Sequence, residues 1–361
     1  MKNKCTLIID GNWLLQSRMA VMINEFSTTI SETQRTRSQD ELQNRLAYSI
    51  IKMLNRFPCI DNIILVADGG SWRKKLPVPT SIQSTVYKGN RTKSEEIGWN
   101  NIFNALNNLT QHCQDLGITT SQFIDVEGDD WCWYWSRRLN DEGTHCIIWS
   151  IDNDLKQLIQ VSGGAFTAWY NDRNGLYLHK CLEEQPMDDV DFFLTSKPES
   201  PTLEELKRKS GKVTYIDPSD IILDKIVCGD NSDNIKSVVR YVKNGRNRRM
   251  SEREWFTLAD KLNIKNVVDF RRKEKDIIDY IINKYSQLNL EYDTLREHIE
   301  YNMRLVWLDQ SQIPETIQAK MCESEYKLFD LSQIRNNANM LSGLHPENQI
   351  EQIFENIDIP F

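Results

Sequence analysis

The stretch SQFIDVEGDDW, Ser121 to Trp131, joins an apolar run to three carboxylates within four residues, Glu127, Asp129 and Asp130. Its first half suits a buried strand and its second half the opening turn of a helix. Like charges at that density repel, so crowding them on one surface costs free energy unless something offsets the charge. The same order, apolar run then acid, recurs through the first half of the chain. CTLII (Cys5 to Ile9) runs into Asp10, NIILVA (Asn62 to Ala67) into Asp68, and HCIIWS (His145 to Ser150) is followed at once by Ile151 and Asp152. Each run has the length and the β-branched content of a buried strand.

Helical patterns fill the gaps. ELQNRLAYSIIKMLNRF, Glu41 to Phe57, sets Leu42, Leu46, Ile50, Met53 and Leu54 on one stripe. WNNIFNALNNLTQHCQDLG and DDWCWYWSRRLNDEG read the same way, with Gly117 and Gly143 where the helices end. Strands alternating with helices predict an α/β fold, a mostly parallel central sheet flanked by helices. AFTAWYNDRNGLYLH adds a hairpin.

At 361 residues the chain exceeds a usual single domain. The composition divides it into residues 1–180, the α/β domain with a basic stretch near 72–100; residues 181–217, an acidic then Pro/Ser/Lys-rich insertion or connection; and residues 218–361, predicted helical. In that last part Asp217-Pro218 and Ser251 with Glu254 are helix-start signals, and KDIIDYIINKYS and LREHIEYNMRLVWL are amphipathic. Forty per cent apolar residues supply a real core. The net charge of −8 argues against a simple basic coat for nucleic acid, but leaves room for a local basic groove. The eight cysteines are dispersed, none at CxxC spacing, and Asp10 interrupts the apolar start far short of a signal core. A soluble, cytoplasmic, reduced protein without a membrane span is expected.

In an open parallel sheet, functional groups gather at the carboxyl ends of the strands. Asp10, Asp68, Glu127 and Asp152 fall there, with Asp129, Asp130 and Asp154 close behind, and GDNSDN contributes Asp230 and Asp233 from the helical part. Taken singly, each acid also suits a helix cap. Together they cost many times the ~4 kcal/mol of one close pair at a partly buried surface, or else take up protons. Hard divalent cations remove the repulsion, and oxygen-only donors select Mg²⁺ or Mn²⁺ over zinc. The pattern predicts two ions ~3.5–4 Å apart in a site that hydrolyses phosphodiesters.

The ordered motifs DGNWLL, ADGGSWR, VYKGNR, VEGDDW, SIDNDLKQL and GDNSDN resemble those of the 5′-nuclease superfamily of flap endonucleases and 5′→3′ exonucleases. With NMRLVWLDQSQIPETI, they are most similar to the ribonuclease H branch of T-even bacteriophages. The resemblance spans about Thr6 to Asn234 and implies a PIN-like fold and first-metal ligands at Asp10, Asp68, Glu127 and Asp129. It implies that Asp130 acts directly or through water, and that Asp152, Asp154, Asp230 and Asp233 lie nearer the second metal. Lys88 and Arg91 match basic residues that neutralise the scissile phosphate, and Tyr87 is placed to stack on a terminal base. Arg73 and Lys93 extend that basic stretch. GDNSDNIKSVVRYVKNGRNRR stands where the family has a helix–three-turn–helix, so Lys236, Arg240, Lys243, Arg246, Arg248 and Arg249 are expected to grip duplex backbone.

Some features depart from the family. Gly128 replaces an alanine, Trp131, Trp133 and Trp135 replace aliphatic residues and read as core, and IKSVV stands in for a glycine-rich hairpin, which puts a monovalent-ion site there in doubt. The tail, residues 350–361 with QIFENIDIPF, is a candidate for a sliding clamp or a single-stranded-DNA-binding protein. The implied function is metal-dependent removal of RNA primers and adjacent DNA during phage replication in an infected bacterium. The expected protein is monomeric and acts on DNA and RNA–DNA duplexes with a 5′ end or flap. A PIN-type single-strand ribonuclease and a catalytically weak DNA-structure-binding protein are the alternatives.

Overall fold

The computed structural model describes residues 5–80, 82, 87–184, 213–335 and 337–344. They form two compact units that interleave along the chain. Described residues of Met1–Gly70, Lys93–Ile216 and Lys320–Phe361 make the first, and those of Ser71–Thr92 and Asp217–Ala319 the second. This division differs from the linear one expected above, since part of the basic stretch is grouped with the helical residues and the chain beyond Lys320 with the sheet. Most of the expected insertion and all of the expected docking tail lie outside the described residues.

The first unit is built on an eight-stranded, mostly parallel sheet, as the sequence predicts. Strand β1 (Cys5–Asp10) is central and buried throughout, as a strand covered on both faces must be. It pairs in parallel with β2 (Asn62–Val66) on one side and β4 (His145–Trp149) on the other. Beyond β2 lies β3 (Thr119–Ser121), and beyond β4 lies β6 (Ala165–Asn171), both parallel to their neighbours. The short β5 (Gln160–Ser162) and the hairpin partner β7 (Gly175–His179) run antiparallel to β6. The edge strand β8 (Val213–Ile216) is parallel to β7, inside the segment expected to be a connection. From β1 the sheet grows one way through β2 and β3, then the other way from β4 onward. The topological switch point is therefore between β1 and β4.

Helices α1 (Gly11–Met22), α2 (Glu32–Arg56), α3 (Trp99–Asp115) and α4 (Gly128–Asp141) accompany the sheet. Helix α2 buries the expected Leu42, Leu46, Ile50, Met53 and Leu54. It starts earlier than its apolar stripe because Ser31 and Gln34 form a capping box. In α4, Trp131 and Trp135 are fully buried and Trp133 nearly so, as core residues. The strand expected to reach Val126 stops at Ser121. Phe123 to Val126 turn instead, with Asp125 at φ 71, because their backbone bonds to the loop after β2: Gly69 N–H donates to Val126 O at 2.9 Å and Asp125 N–H to Gly69 O at 3.0 Å. All eight cysteines are free, and among the described residues no helix is long and apolar enough to cross a membrane.

The second unit packs α5 (Leu223–Cys228), α6 (Glu252–Leu262), α7 (Glu274–Lys284) and α8 (Tyr292–Val306) around Trp255, Phe270, Ile277, Ile281, Leu295 and Ile299. The predicted Ser251–Glu254 capping box is present. The unit is not all helical, however. Strands β9 (Arg240–Lys243) and β10 (Arg246–Arg249) form an antiparallel hairpin where the helix–three-turn–helix element was expected. Asn244 and Gly245 turn it at φ 53 and 71, the geometry that favours a tight two-residue hairpin loop.

His298 ties α8 to the segment before that hairpin through Nε2 and Lys236 O, 3.1 Å apart. Burial pushes its imidazole from 6.5 down to about 4, against the upward pull of that bond. The unfolded chain therefore takes up the proton first, so stability is full above pH 6.5 and falls as pH drops toward about 4. The expected loss is roughly 3 kcal/mol for this group. Urea denaturation of wild type and His298→Gln across that window checks it: the variant should lose correspondingly less stability, and an equal loss would contradict the assignment.

Candidate active site

Asp10 ends β1 and caps α1, accepting the Trp13 N–H at 3.0 Å. Its other oxygen accepts the Ser150 hydroxyl at 2.7 Å, and Ser150 follows β4 directly. Asp10 therefore joins the two strands that flank the switch point, while only 7% exposed. Burial pushes its carboxyl up to about 6, the two hydrogen bonds oppose this, and the carboxylates of Asp68 and Asp152 raise it further. Asp68, just past β2, accepts the Gly128 N–H at 2.7 Å on one oxygen and Asn12 Nδ2–H at 3.1 Å on the other. Asn12 returns the contact by accepting the Asp68 N–H at 2.8 Å.

Glu127 and Asp130 open α4 as a reciprocal capping box, with Glu127 N–H donating to Asp130 at 3.3 Å. Both side chains are buried, and Asp129 beside them is partly exposed. Asp152 accepts the Asp154 N–H at 2.9 Å, and its own N–H donates to Ser150 Oγ at 3.0 Å. Asp10, Asp152 and the Glu127–Asp130 pair thus fill the local caps that their positions suggest, whereas Asp68 reaches across to the start of α4. The Cys132 thiol is pushed well up by burial and by the charges of Asp10, Asp129, Asp152 and Asp68, four carboxylates from four chain segments.

Two glycines sit where the acids converge, and one of them is required. A Cβ on Gly128 would lie 3.2 Å from Asp68 Oδ1 and 4.0 Å from Asp10 Oδ1, so bare backbone fills the gap between these acids. A Cβ on Gly69 would lie 1.8 Å from Phe123 O, so the loops after β2 and β3 approach this closely only because the residue is glycine.

The donors fit a hard divalent cation. They are carboxylate oxygens, and the one thiol among them, Cys132, is held protonated. Among the described residues no three acid, histidine or cysteine side chains stand at metal-coordinating distance, so the acids line a rim rather than close a cage. Mg²⁺ suits such a rim, because it retains waters and binds through one or two carboxylates together with phosphate oxygens.

The second unit treats its acids differently. Asp230 is paired with Lys225 at 2.6 Å; burial would raise its carboxyl, but Lys225 and Ser232 hold it down to about 2. Asp233 is paired with Arg91, and the Lys88 N–H donates to its backbone oxygen at 2.8 Å. These two acids, expected as metal ligands, instead secure basic residues of the same unit. Tyr87 is only 4% exposed, covered by Lys88 and donating toward Asp233, so it is a core residue and not a stacking platform. Arg73, 2% exposed against the Trp72 ring, is likewise withdrawn from any ligand. Lys236 is half-buried, whereas Arg240, Lys243, Arg246, Arg248 and Arg249 stand exposed on the hairpin. Lys93 belongs to the first unit and lies over Trp99 and Phe103. Sequence reasoning missed Asn12 and Ser150, whose only signal was their place one or two residues from an expected strand-end acid.

No family model matches the sequence. A curated 5′-3′ exonuclease of Mycoplasmopsis pulmonis (strain UAB CTIP) is 25% identical over 280 residues, covering 76% of this chain and 75% of that protein. The fold is that of the bacteriophage T5 D15 protein co-crystallised with metal ions, with TM-score 0.53 and 17% identity over 94% of this chain and 99% of that one. T5 5′-exonuclease with bound zinc gives 0.52 and 18%, over 94% and 100%. The chain thus resembles a curated 5′-3′ exonuclease in sequence and shares the fold of the T5 5′-exonuclease. A third structure of this fold, a T5 D15 flap endonuclease variant with DNA and metal ions, gives 0.50 and 16% over 94% and 100%. In this fold the carboxylates come from four neighbouring strand ends that are far apart in the chain, and the loops between them fix their spacing.

Replacing Gly69 with alanine should separate those loops, at a cost of about 1–3 kcal/mol in stability and with weaker divalent binding. Urea denaturation and a calorimetric Mn²⁺ titration check this; unchanged values in both would show that the loop contact does not shape the site.

Proposed function

We propose that the protein is a divalent-metal-dependent phosphodiesterase with 5′→3′ exonuclease and flap-endonuclease activity. The observation that carries this reading is the approach of Asp10, Asp68, Asp129 and Asp152 to one another beside the switch point of the sheet, all within electrostatic reach of the Cys132 thiol. When bound, two ions would supply an activated water and stabilise the leaving oxygen. We assign Asp10, Asp68, Glu127 and Asp129 to one ion and Asp152 and Asp154 to the other, with Asp130 supporting from the first turn of α4.

The chain's own work is positioning. Ser150 and the Trp13 N–H orient the Asp10 carboxylate, while Asn12 and the Gly128 N–H orient that of Asp68. All these donors are neutral, so they fix direction without cancelling the charge that holds cations. By resemblance, Lys88 and Arg91 neutralise phosphate charge, the first as a point charge and the second as a planar fork. Arg91 is held ready by Asp233. The exposed hairpin cations suit sequence-independent contact with duplex backbone.

As substrates we propose RNA–DNA and DNA duplexes with a 5′ end or flap, and as role the removal of RNA primers in phage replication. The solved T5 flap endonuclease complex with DNA and metal ions supports the substrate class. A minimal PIN-type ribonuclease is less well supported, since it has no use for a second unit bearing a basic hairpin.

Asp129→Asn tests the site on a 5′-labelled flap with Mg²⁺. Binding should be retained or tighter, because a charge facing phosphate is removed, while cleavage should fall by roughly a hundredfold or more. Cleavage at the wild-type rate would refute the site. Product lengths from blunt, nicked, flapped and RNA–DNA substrates then separate exonucleolytic from flap cutting and RNA from DNA preference.

A further inference from the structure

At the β3 edge of the sheet in the first unit, a cavity of about 470 Å³ is lined by α3, by β3 with its flanking residues and by Glu323 to Lys327. Three amides project from α3 on one side, Asn107, Gln111 and Gln114, and a fourth, Gln122, closes the end beside Phe123. The opposite wall carries Glu323 and Glu325. This lining is rich in hydrogen-bonding groups, and its single cation, Lys327, is outnumbered by Glu323 and Glu325, so it does not suit a phosphate.

The amides are available. Among the described residues the Gln114 side chain has no hydrogen-bond partner. Gln111 donates to Asp115 at 2.9 Å, which leaves its carbonyl oxygen open, and Asn107 accepts from Gln122 at 3.4 Å, which leaves its own Nδ2–H groups open. Side-chain amides present a donor and an acceptor side by side, the pattern that matches the edge of a nucleobase. Phe123 supplies a ring: it is tilted against Trp131 with centroids 5.6 Å apart, yet it is 36% exposed.

The cavity is connected to two other features. Gln122 Nε2–H donates to Asp68 O at 3.1 Å, so the cavity wall is one hydrogen bond from the backbone that carries a metal-site carboxylate. At the other end, the α3 face continues by helical spacing from Asn107 to Phe103 and Trp99. Those two rings stack with centroids 6.1 Å apart, both partly exposed, and Lys93 Nζ lies 4.2 Å from the Phe103 centroid and 5.8 Å from that of Trp99. Stacked rings with an exposed cation are what an unpaired strand uses, bases on rings and phosphate on the charge.

We propose that this cavity holds an unpaired nucleobase of a single-stranded arm, with the arm passing along α3 over the Phe103–Trp99 stack. The inference rests on the nuclease reading and adds to it a subsite for single-stranded nucleic acid away from the carboxylate rim. Glu323 and Glu325 repel phosphate and thereby direct the base, rather than the backbone, into the cavity.

The test uses the full chain and a labelled duplex whose 5′ single-stranded arm is intact, abasic at every arm position, or missing, with anisotropy read in Ca²⁺. Wild type should bind the intact arm about tenfold more tightly than the abasic arm. The double variant Gln111→Ala with Gln114→Ala, which leaves the Gln122–Asp68 bond in place, should lose that base preference and keep the affinity for the armless duplex. Equal wild-type binding of intact and abasic arms overturns the proposal, and so does an unaltered preference in the double variant. The latter result would leave the open edge of β3 to an extended peptide. Wild-type cleavage of the armless nicked duplex in Mg²⁺ separates the two levels. Cleavage without base preference removes only the subsite, whereas no binding or cleavage of any of these substrates removes the nuclease reading and the subsite with it.

Discussion

Mutual repulsion among carboxylates constrains everything around the rim. Two such charges at contact distance cost ~4 kcal/mol near a protein surface, and here several meet. The chain does not relieve the cost at Asp10 with a lysine or arginine. It uses a backbone N–H and a serine hydroxyl, which hold the carboxylate in place while burial and the neighbouring acids push it up to about 6. An acid fixed in this way has charge left for a cation. Asp230 and Asp233 in the second unit show the contrast, because each is matched to a basic side chain and its charge is already used.

The sheet topology turns that constraint into a site. Parallel strands deliver their carboxyl ends to one side, and the reversal of order at β1 opens a crevice between β1 and β4. Asp10 and Ser150 face each other across it. The remaining acids reach the same place only because two loops touch, and Gly69 sets how close they come. A side chain at Gly69 intrudes on the Phe123 backbone, so the spacing of the acids is a backbone property as much as a side-chain one.

Much of this was legible beforehand, for a definable reason. Runs such as CTLII and NIILVA are too apolar for an edge and too short for a helix, and the acid after each marks a strand end in a parallel sheet. Local pattern failed where distant contacts decide. SQFIDV has strand composition, but Gly69 captures its backbone and turns it outward. Tyr87 and Arg73 belong to motifs that suggest contact with nucleic acid, yet both are buried within the second unit. The interleaving of the units along the chain leaves no local trace, since each segment is ordinary by itself. The hairpin at Arg240 to Arg249 differs for another reason: resemblance implied a helix–three-turn–helix there, whereas Asn244-Gly245 is itself a strong local hairpin signal.

Net charge was a weak guide for the same reason that the rim exists. The acidic total of −8 includes acids gathered where cations are needed, and it hides a concentration of opposite sign on the hairpin. There Lys243 faces Arg246 across the strands and Arg240 faces Arg249. Like charges in direct cross-strand register destabilise a two-stranded ribbon, which is already marginal by itself. A polyanion lying along the ribbon would reverse the sign of that term, which is why the proposed duplex contact suits this segment. Under the proposed function the carboxylate rim would obey the same logic with the charges exchanged, a cation offsetting its repulsion as a polyanion would offset that of the hairpin.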